Sequence, residues 1–382
     1  MKIHYFDFVA SGGVHTTFNS AMIEVLNKVY PQNEEIVFHS EKAHGEIVKE
    51  KCVSKLKLKS RKFIDKIKYR KIKDLINGIA VFFRILLKKK DDVFFVGLAF
   101  PFSVKAINFS SKLFSKPVYL CLHGELQYCI NCNSDIFDYK SKKYFSKMNL
   151  VFRQKNVYLK YIILGSSIYN AVKHLFNPSN KIIIINHPAI FHTEQKEFEL
   201  HKPLVIAMIG SAVKRKGSEN LFELVKLLKK EIRSKKIVIE ILGMCLEPCP
   251  KDCESFLKFS DKFLSEDELI SKIKQIDFSL QLTTDNICTA IASGTLVDSI
   301  IYEKPILGLH SSYLDDYLIG SQKELVCSDV SELAKLIISI ADKKSSEIYK
   351  LYAEAVKNMQ SFFMPGSNAK KFLEQIEKLG EI

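Results

Sequence analysis

No stretch of this 382-residue sequence reaches the roughly 18–20 consecutive apolar residues that a helix needs to cross a bilayer. The nearest candidate, Ile79–Leu87, is short and is interrupted by Arg84. Charged and polar residues also interrupt the first residues of the chain, which predict a strand and a glycine turn there and not a secretion signal. The sequence therefore argues against an integral membrane protein and against export.

A disulfide framework and a zinc site are not indicated either. The nine cysteines are odd in number and scattered, which favours a reducing compartment. Cys129 and Cys132 have a metal-like spacing, and a second group lies at residues 245–253. A structural zinc ion needs four ligands in one closed geometry, and these two groups fall in different predicted domains. We expect reduced thiols, no bound metal and no cofactor.

Acidic residues are sparse in the first half of the chain. Residues 1–200 contain 32 Lys and Arg against 17 Asp and Glu, so the excess behind the net charge of +14 lies there. This imbalance leaves a basic nucleic-acid-binding protein as one alternative. Only four of the 32 cations are Arg, and predominance of Lys favours attraction to an anionic surface over reading of bases. We therefore expect no nucleic-acid partner.

Short apolar strands alternate with helices along the chain. One series starts with a strand at Lys2–Val9 and a helix at Thr16–Val29, and a second starts at Leu204. This alternation predicts an α/β fold class with two Rossmann-like, doubly wound domains facing each other across a cleft. We place the first domain at 1–190, a linker at 191–203 and the second domain at 204–365. A final helix, 366–382, is expected to pack back toward the first domain.

Ligands of doubly wound sheets bind at the carboxyl ends of the strands, so the loops that follow strands are the candidate sites. Gly12 and Gly13 follow the first strand and allow close approach to a ligand, although no GxGxxG fingerprint is present. A second loop, Gly210–Gly217, brings cations to the start of a helix, which suits a phosphate. Its candidate ligand-binding residues are Ser211, Lys214, Arg215 and Lys216.

Two further strand-end segments carry polar groups. Ser293, Gly294 and Thr295 open a helix, and Asp298 lies one turn further on, where a carboxylate could accept hydrogen bonds from sugar hydroxyls. His123 and Glu125 follow the strand Val118–Leu122 and are the candidates for acid–base or electrostatic catalysis.

The basic tract of the first half predicts contact with an anionic membrane. Residues 49–73 carry twelve Lys and Arg against Glu50 and Asp65, with apolar residues between them. A cationic amphipathic element of this kind is attracted by roughly 1 kcal/mol per well-placed cation. The residues assigned to acceptor or membrane contact are Lys55, Lys57, Lys59, Arg61, Lys62 and Lys66.

The order of these pieces resembles a GT-B-type glycosyltransferase of bacterial surface-polysaccharide (O-antigen, capsule or lipopolysaccharide) assembly. The resemblance is carried by Gly12-Gly13, His123-Gly124-Glu125, Ser166-Ser167, Gly210 with Lys216-Gly217, and Ser293-Gly294 with Asp298 and Lys304-Pro305. It implies a nucleotide-sugar donor held by the second domain, a glycan or lipid-linked acceptor held by the first, and hexosyl transfer that retains configuration. A cytoplasmic enzyme attached to the inner face of the membrane would follow.

The sequence departs from the pattern of the retaining enzymes at two positions. Ser211 stands where they have an arginine, and Ala290 stands where the first of two acidic residues would fall. No Asp-x-Asp triplet occurs, so Lys216, a second cation and helix N-termini are expected to stabilise the diphosphate leaving group without a metal. Inversion would instead require a base, for which Glu125 or His123 is the candidate. A sugar-nucleotide 2-epimerase of the same fold is the enzymatic alternative.

Overall fold

The computed structural model describes residues 1–33, 35–61, 69–89, 91–130, 135–191, 200–343 and 345–380. The strands are β1 (Lys2–Asp7), β2 (Glu35–Glu41), β3 (Leu56–Arg61), β4 (Val93–Leu98), β5 (Val118–Leu122), β6 (Leu159–Leu164), β7 (Lys181–Ile185), β8 (Leu204–Ile209), β9 (Ile237–Met244), β10 (Leu257–Ser260), β11 (Phe278–Gln281), β12 (Ile306–Leu309) and β13 (Val326–Cys327).

Helices connect the strands. They are α1 (Thr16–Val29), α2 (Lys42–Lys51), α3 (Arg70–Leu86), α4 (Pro101–Phe114), α5 (Leu126–Cys129), α6 (Tyr139–Phe145), α7 (Asn149–Phe152), α8 (Ser166–Val172), α9 (Ser218–Leu227), α10 (Lys229–Arg233), α11 (Lys251–Glu254), α12 (Glu266–Lys274), α13 (Gly294–Ile301), α14 (Ser312–Asp315), α15 (Val330–Lys343), α16 (Ser346–Phe363) and α17 (Pro365–Lys378). Short 3₁₀ turns lie at Ser146–Met148, Lys173–Leu175, Lys214–Lys216 and Gly320–Leu325.

The chain forms two compact units. Unit 1 comprises Met1–Ile190, Ala290–Ala292 and Phe362–Ile382, and unit 2 comprises Phe191–Thr289 and Ser293–Ser361.

The sheet of unit 1 has the strand order β3-β2-β1-β4-β5-β6-β7, and its neighbouring strands run parallel. Strands such as β5 and β6 are buried along their whole length, as expected for a parallel sheet covered on both faces. The order reverses between β1 and β4, and this switch point fixes where a ligand crevice forms at the carboxyl edge.

The sheet of unit 2 repeats this design on a smaller scale, with the order β10-β9-β8-β11-β12-β13 and parallel pairing. Its switch point lies between β8 and β11. The predicted α/β class, with two parallel doubly wound sheets, is therefore confirmed.

The last helix, α17, belongs to unit 1. Phe372 is fully buried and lies against the rings of Phe95 and Tyr119. The Gln375 side chain accepts from the Ile184 N–H and donates to the Ile184 carbonyl, both at 2.8 Å. These two bonds attach α17 to the edge strand β7 and satisfy backbone groups that a further strand would otherwise pair with.

The described part of the basic tract is divided among the end of α2, β3 and the start of α3, which corrects the expectation of one amphipathic element. Lys57 and Lys59 lie on β3, the edge strand of unit 1, with Lys55 just before it and Arg61 at its end. Lys57 pairs with Glu35 at 3.2 Å. The alternating lysines of β3 are typical of an edge strand, where charged side chains oppose pairing with a further strand. Lys62 and Lys66 lie outside the described residues.

Among the described residues, no helix combines the length and the apolar character required to cross a membrane.

Candidate functional site

The loop after β8 in unit 2 is shaped by glycines. Gly210 has a positive φ of 75°, and Gly217, which immediately precedes α9, has a φ of 80°. A side chain at Gly217 would collide with the Leu282 carbonyl, and a Cβ at Gly243 would lie 2.8 Å from the backbone of Gly210. The loop is therefore held against the ends of two neighbouring strands, in a conformation that only glycine adopts without strain.

Lys216 brings its ammonium group over this loop. A Cβ built on Gly210 would lie 2.9 Å from Lys216 Nζ and 3.8 Å from Thr295 Cγ2, so the ammonium lies beside the start of α13. Burial, reinforced by the charge of Arg215 and opposed by Asp298, lowers the pKa of Lys216 to about 8. The partly buried ammonium is less well hydrated than a lysine on the open surface, which favours binding of an anion.

The start of α13 adds hydroxyl groups. Ser293 caps the helix, its Oγ accepting from the Leu296 N–H at 3.1 Å, and Ser293 Oγ lies 3.1 Å from Thr295 Oγ1. Gln281, the last residue of β11, bonds both hydroxyls through its side-chain amide. A Cβ at Gly294 would meet no atom within 4 Å, so the helix N-terminus opens onto free space. Amides and hydroxyls at such a helix start are suited to a phosphate or a sugar hydroxyl.

The other candidates of unit 2 lie around Lys216. Ser211 follows Gly210 directly, and Asp298, three residues after Thr295 on α13, opposes the lowering of the Lys216 pKa. Lys214 lies 3.7 Å from Glu219, and Arg215 is exposed. The structure therefore brings Lys216, the α13 residues and Asp298 together and leaves Lys214 and Arg215 toward solvent.

In unit 1, the glycine loop after β1 is braced by a buried network. The Asn19 amide donates to Asp7 Oδ2 at 2.8 Å and bonds His44 Nε2 at 2.9 Å. His44 Nδ1 then donates to the Gly12 carbonyl at 2.8 Å. A Cβ at Gly12 or Gly13 would meet nothing within 4 Å. The network orients a loop whose outer side is open.

His123 lies at the end of β5, and its tautomer follows from its contact. Nε2 lies 2.8 Å from the Gly97 carbonyl and must donate to it, which leaves Nδ1 as the acceptor. Burial, with His15 and His187 nearby, holds the pKa of His123 well below its usual range. The imidazole is therefore neutral at physiological pH and offers a lone pair, not a charge.

Glu125 turns back onto the same strand end. Its Oε1 accepts from the His123 backbone N–H at 2.8 Å, and the residue is only 5% exposed. Burial raises the pKa of Glu125 to about 7, despite backbone hydrogen bonds that oppose the shift. Glu125 is thus a carboxyl group close to half-protonated at neutral pH.

Two histidines that the sequence analysis missed complete this cluster. The ring centroid of His15 lies 5.1 Å from that of His123, and Phe18 contacts both His123 and His187. Nδ1 of His15 and Nδ1 of His187 are buried and have no hydrogen-bond partner in the part of the chain that the structure describes. His15 follows β1 and His187 follows β7, so the strand-end rule that selected His123 was also the signal for them.

No family model and no curated protein matches this chain. Solved structures do. One is HepE from Anabaena in complex with UDP-glucose, with a TM-score of 0.64, 11% identity and complete coverage of both chains. TarM has a TM-score of 0.64 and 13% identity over 98% of each chain, and a TarM variant from S. aureus was solved with UDP. The lipopolysaccharide outer core galactosyltransferase WaaB has a TM-score of 0.60 and 12% identity over 99% of this chain and 100% of its own. This protein therefore has the two-domain α/β fold of the GT-B glycosyltransferases.

Proposed function

We propose that this protein is a glycosyltransferase that moves a hexosyl group from a nucleotide-sugar donor to a lipid-linked or growing surface-glycan acceptor. The observation that carries the proposal is the ammonium of Lys216, held over Gly210 beside the open N-terminus of α13. A partly buried cation beside the amides of a helix N-terminus is suited to a diphosphate, which is the leaving group of such a transfer. The nucleotides named with HepE and TarM, UDP-glucose and UDP, support a uridine diphosphate sugar as donor.

The same groups favour a reaction that needs no metal or other cofactor. Lys216 offsets charge that develops on the diphosphate, and the amides at the starts of α9 and α13 contribute partial positive charge. Asp298 and the hydroxyls of Ser293 and Thr295 would bind the nucleotide ribose or the sugar. Loss of the diphosphate would be the step that these residues accelerate, because their interactions strengthen as its negative charge grows.

Unit 1 is proposed to supply the acceptor side. His123 Nδ1 would accept a hydrogen bond from a sugar hydroxyl, since its Nε2–H is already used by Gly97. Glu125, with 5% exposure, is assigned to positioning His123. In this scheme configuration is retained, and a leaving phosphate oxygen takes the proton of the incoming hydroxyl on the same face of the sugar.

The positioning role of Glu125 predicts a contrast between two variants. Glu125→Gln keeps an acceptor for the backbone N–H of His123 and should change kcat by less than about threefold. The pH–rate profile of this variant should show no titration near pH 7. Glu125→Ala leaves that buried backbone N–H without an acceptor, which costs about 1–3 kcal/mol of stability at this strand end. Because His123 is then no longer held in position, kcat should fall about tenfold or more. Rates from pH 6 to 9 test this. A loss of about 100-fold in Glu125→Gln, together with loss of a kinetic pKa near 7, would make Glu125 the general base of an inverting reaction.

The donor assignment is tested by thermal shift with nucleoside diphosphates and sugar nucleotides. Ligand at a hundredfold excess over its Kd should stabilise the fold by about 2.7 kcal/mol. Absence of a shift with every nucleotide would refute the function. The 2-epimerase alternative is separated by its product, because an epimerase converts the sugar nucleotide without any acceptor.

The proposed setting is the inner face of the cell membrane, where a lipid-linked acceptor would be presented. The excess of Lys and Arg in residues 1–200 supports attraction to an anionic surface. Because the β3 lysines lie on a sheet edge, they would attract the protein to the anionic membrane surface but would not insert into the bilayer.

A further inference from the structure

The exposed face of α3 is apolar. Ile72, Leu75, Ile79 and Phe83 recur at helical spacing and are 47–52% exposed. Asp74, Asn77, Gly78, Val81 and Ile85 are buried instead. At 100° per residue, the two sets lie on opposite sides of the helix. The exposed side of α3 therefore has the apolar composition of a helix side that is buried against another element.

The neighbouring helix α4 extends this surface. Phe109 is 60% exposed, and Leu113 is 56% exposed. The ring of Phe82 lies 5.5 Å from that of Phe83 and 6.1 Å from that of Phe109, so it connects the exposed side chains of the two helices. Six large apolar side chains that are each about half exposed form an apolar surface of the kind that often marks an interaction site. We call this surface the α3–α4 face: Ile72, Leu75, Ile79, Phe83, Phe109 and Leu113.

The charges on these two helices are of one sign. Lys71, Lys105 and Lys112 are exposed. The one acidic residue within Arg70–Leu86 and Pro101–Phe114 is Asp74, which is 1% exposed and accepts from the N–H groups of Phe102 and Ser103. The α3–α4 face is therefore bordered by lysines with no exposed carboxylate on either helix.

We propose that the α3–α4 face inserts its apolar side chains into the headgroup region of an anionic phospholipid bilayer. Apolar groups bordered by cations match acyl chains below a layer of phosphates. A second copy of the chain fits poorly, because a twofold interface would place the lysines of one copy against those of the other. The purpose of the insertion, access to a lipid-linked acceptor, rests on the proposed function, but the insertion does not.

The absence of tryptophan from the sequence allows a direct test. A Phe83→Trp variant has a single indole on the α3–α4 face, and a Phe263→Trp variant has one at a site in unit 2 that is 72% exposed. With vesicles of phosphatidylcholine and phosphatidylglycerol, the emission of Phe83→Trp should shift to the blue, and that of Phe263→Trp should not. Equal shifts, no shift, or a shift that rises with protein concentration without vesicles would overturn the inference, the last in favour of self-association.

Sedimentation with the same vesicles measures the contribution of the face. The double variant Ile79→Ser/Phe83→Ser should weaken partitioning at least about tenfold. The matched pair Leu227→Ser/Leu351→Ser, at exposed apolar positions of unit 2, should leave it unchanged. Equal binding by both double variants would overturn the inference. Nucleotide-induced thermal shifts, measured on the same samples, should be equal in all of these variants. A protein that binds vesicles but no nucleotide refutes the proposed function and leaves the membrane face intact.

Discussion

Lys216→Ala should abolish the nucleotide-induced thermal shift and lower kcat/KM for transfer by about 100-fold or more. Removing a charge-assisted hydrogen bond to a phosphate costs about 1.5–3 kcal/mol in binding. Removing a preorganised donor from a developing anion costs about 100- to 1,000-fold in rate. Both losses fall on the same group, because the ammonium over Gly210 would hold the diphosphate before and during its departure. Thermal shifts and initial rates over a range of donor concentrations measure the two effects separately.

The matched control is Lys226→Ala. Lys226 is an exposed lysine of α9, 4.0 Å from Asp252, and it lies away from the strand-end loops. It should behave like the wild type, because solvent-exposed ion pairs contribute little. Lys216→Arg keeps the positive charge and should retain part of the binding. If Lys216→Ala binds nucleotide as tightly as Lys226→Ala does, the diphosphate is held elsewhere and the proposed site is wrong.

The pKa of Lys216 adds a pH dependence to this result. Since burial lowers it to about 8, the free protein carries a partly deprotonated Lys216 above that pH. Nucleotide binding should therefore weaken above about pH 8 in the wild type. Lys216→Arg, which stays charged, should not show this decline.

Strand-end loops could be predicted from the sequence because continuous apolar runs mark the strands that precede them. The prediction for α1, Thr16–Val29, matches the structure residue for residue, as does that for β5. β3 was missed because its sequence, LKLKSR, has only two apolar residues and reads as part of a charged tract. Edge strands need less apolar character, since one side of the strand has no neighbour.

The composition of the candidate site was harder to predict than its location. Gln281 ends a buried strand and gives no local signal, yet it links both hydroxyls at the start of α13. His44, on α2, bonds the Gly12 carbonyl in the loop after β1, although the two residues are 32 positions apart in the chain. Such contacts depend on which strands are neighbours in the sheet, and a single sequence does not specify that order.

A buried chain of hydrogen bonds in unit 1 makes the fold sensitive to acid. Arg84 Nη1 lies 2.8 Å from His39 Nδ1, so that nitrogen must be the acceptor. His39 Nε2 then donates to His4 Nδ1 at 3.1 Å, and His4 Nε2 donates to Asp92 at 3.3 Å. Every imidazole nitrogen has a partner only while both rings are neutral.

The surroundings of the two rings oppose their protonation. Burial, with Arg84, His4, Lys59 and Lys88 nearby, lowers the pKa of His39 to about 2. Burial also lowers the pKa of His4 to about 4, with Lys88 and Lys59 adding to the effect and Asp92 opposing it. The ordinary histidine pKa of about 6.5 applies in the unfolded chain. At these two rings the unfolded state therefore binds more protons below that pH, and their contribution lowers the free energy of unfolding as the pH falls from about 6.5 toward 4.

His39→Gln should remove the part of this sensitivity that His39 contributes. A glutamine oxygen can accept from Arg84 and its amide can donate to His4, so the chain of hydrogen bonds is kept without a titrating ring. At pH 5, a neutral buried imidazole costs about 2 kcal/mol of stability relative to neutral pH, and the wild type should lose about that much more than the variant. Urea unfolding between pH 7.5 and 4.5 measures the difference. Glu125, whose raised pKa acts in the opposite direction, is common to both proteins and cancels in the comparison. If the free energies of unfolding of the wild type and the variant change with pH in parallel, the prediction is wrong. His39 would then be protonated in the folded protein or accessible to water, because only a ring held neutral by folding makes the wild type more sensitive to pH.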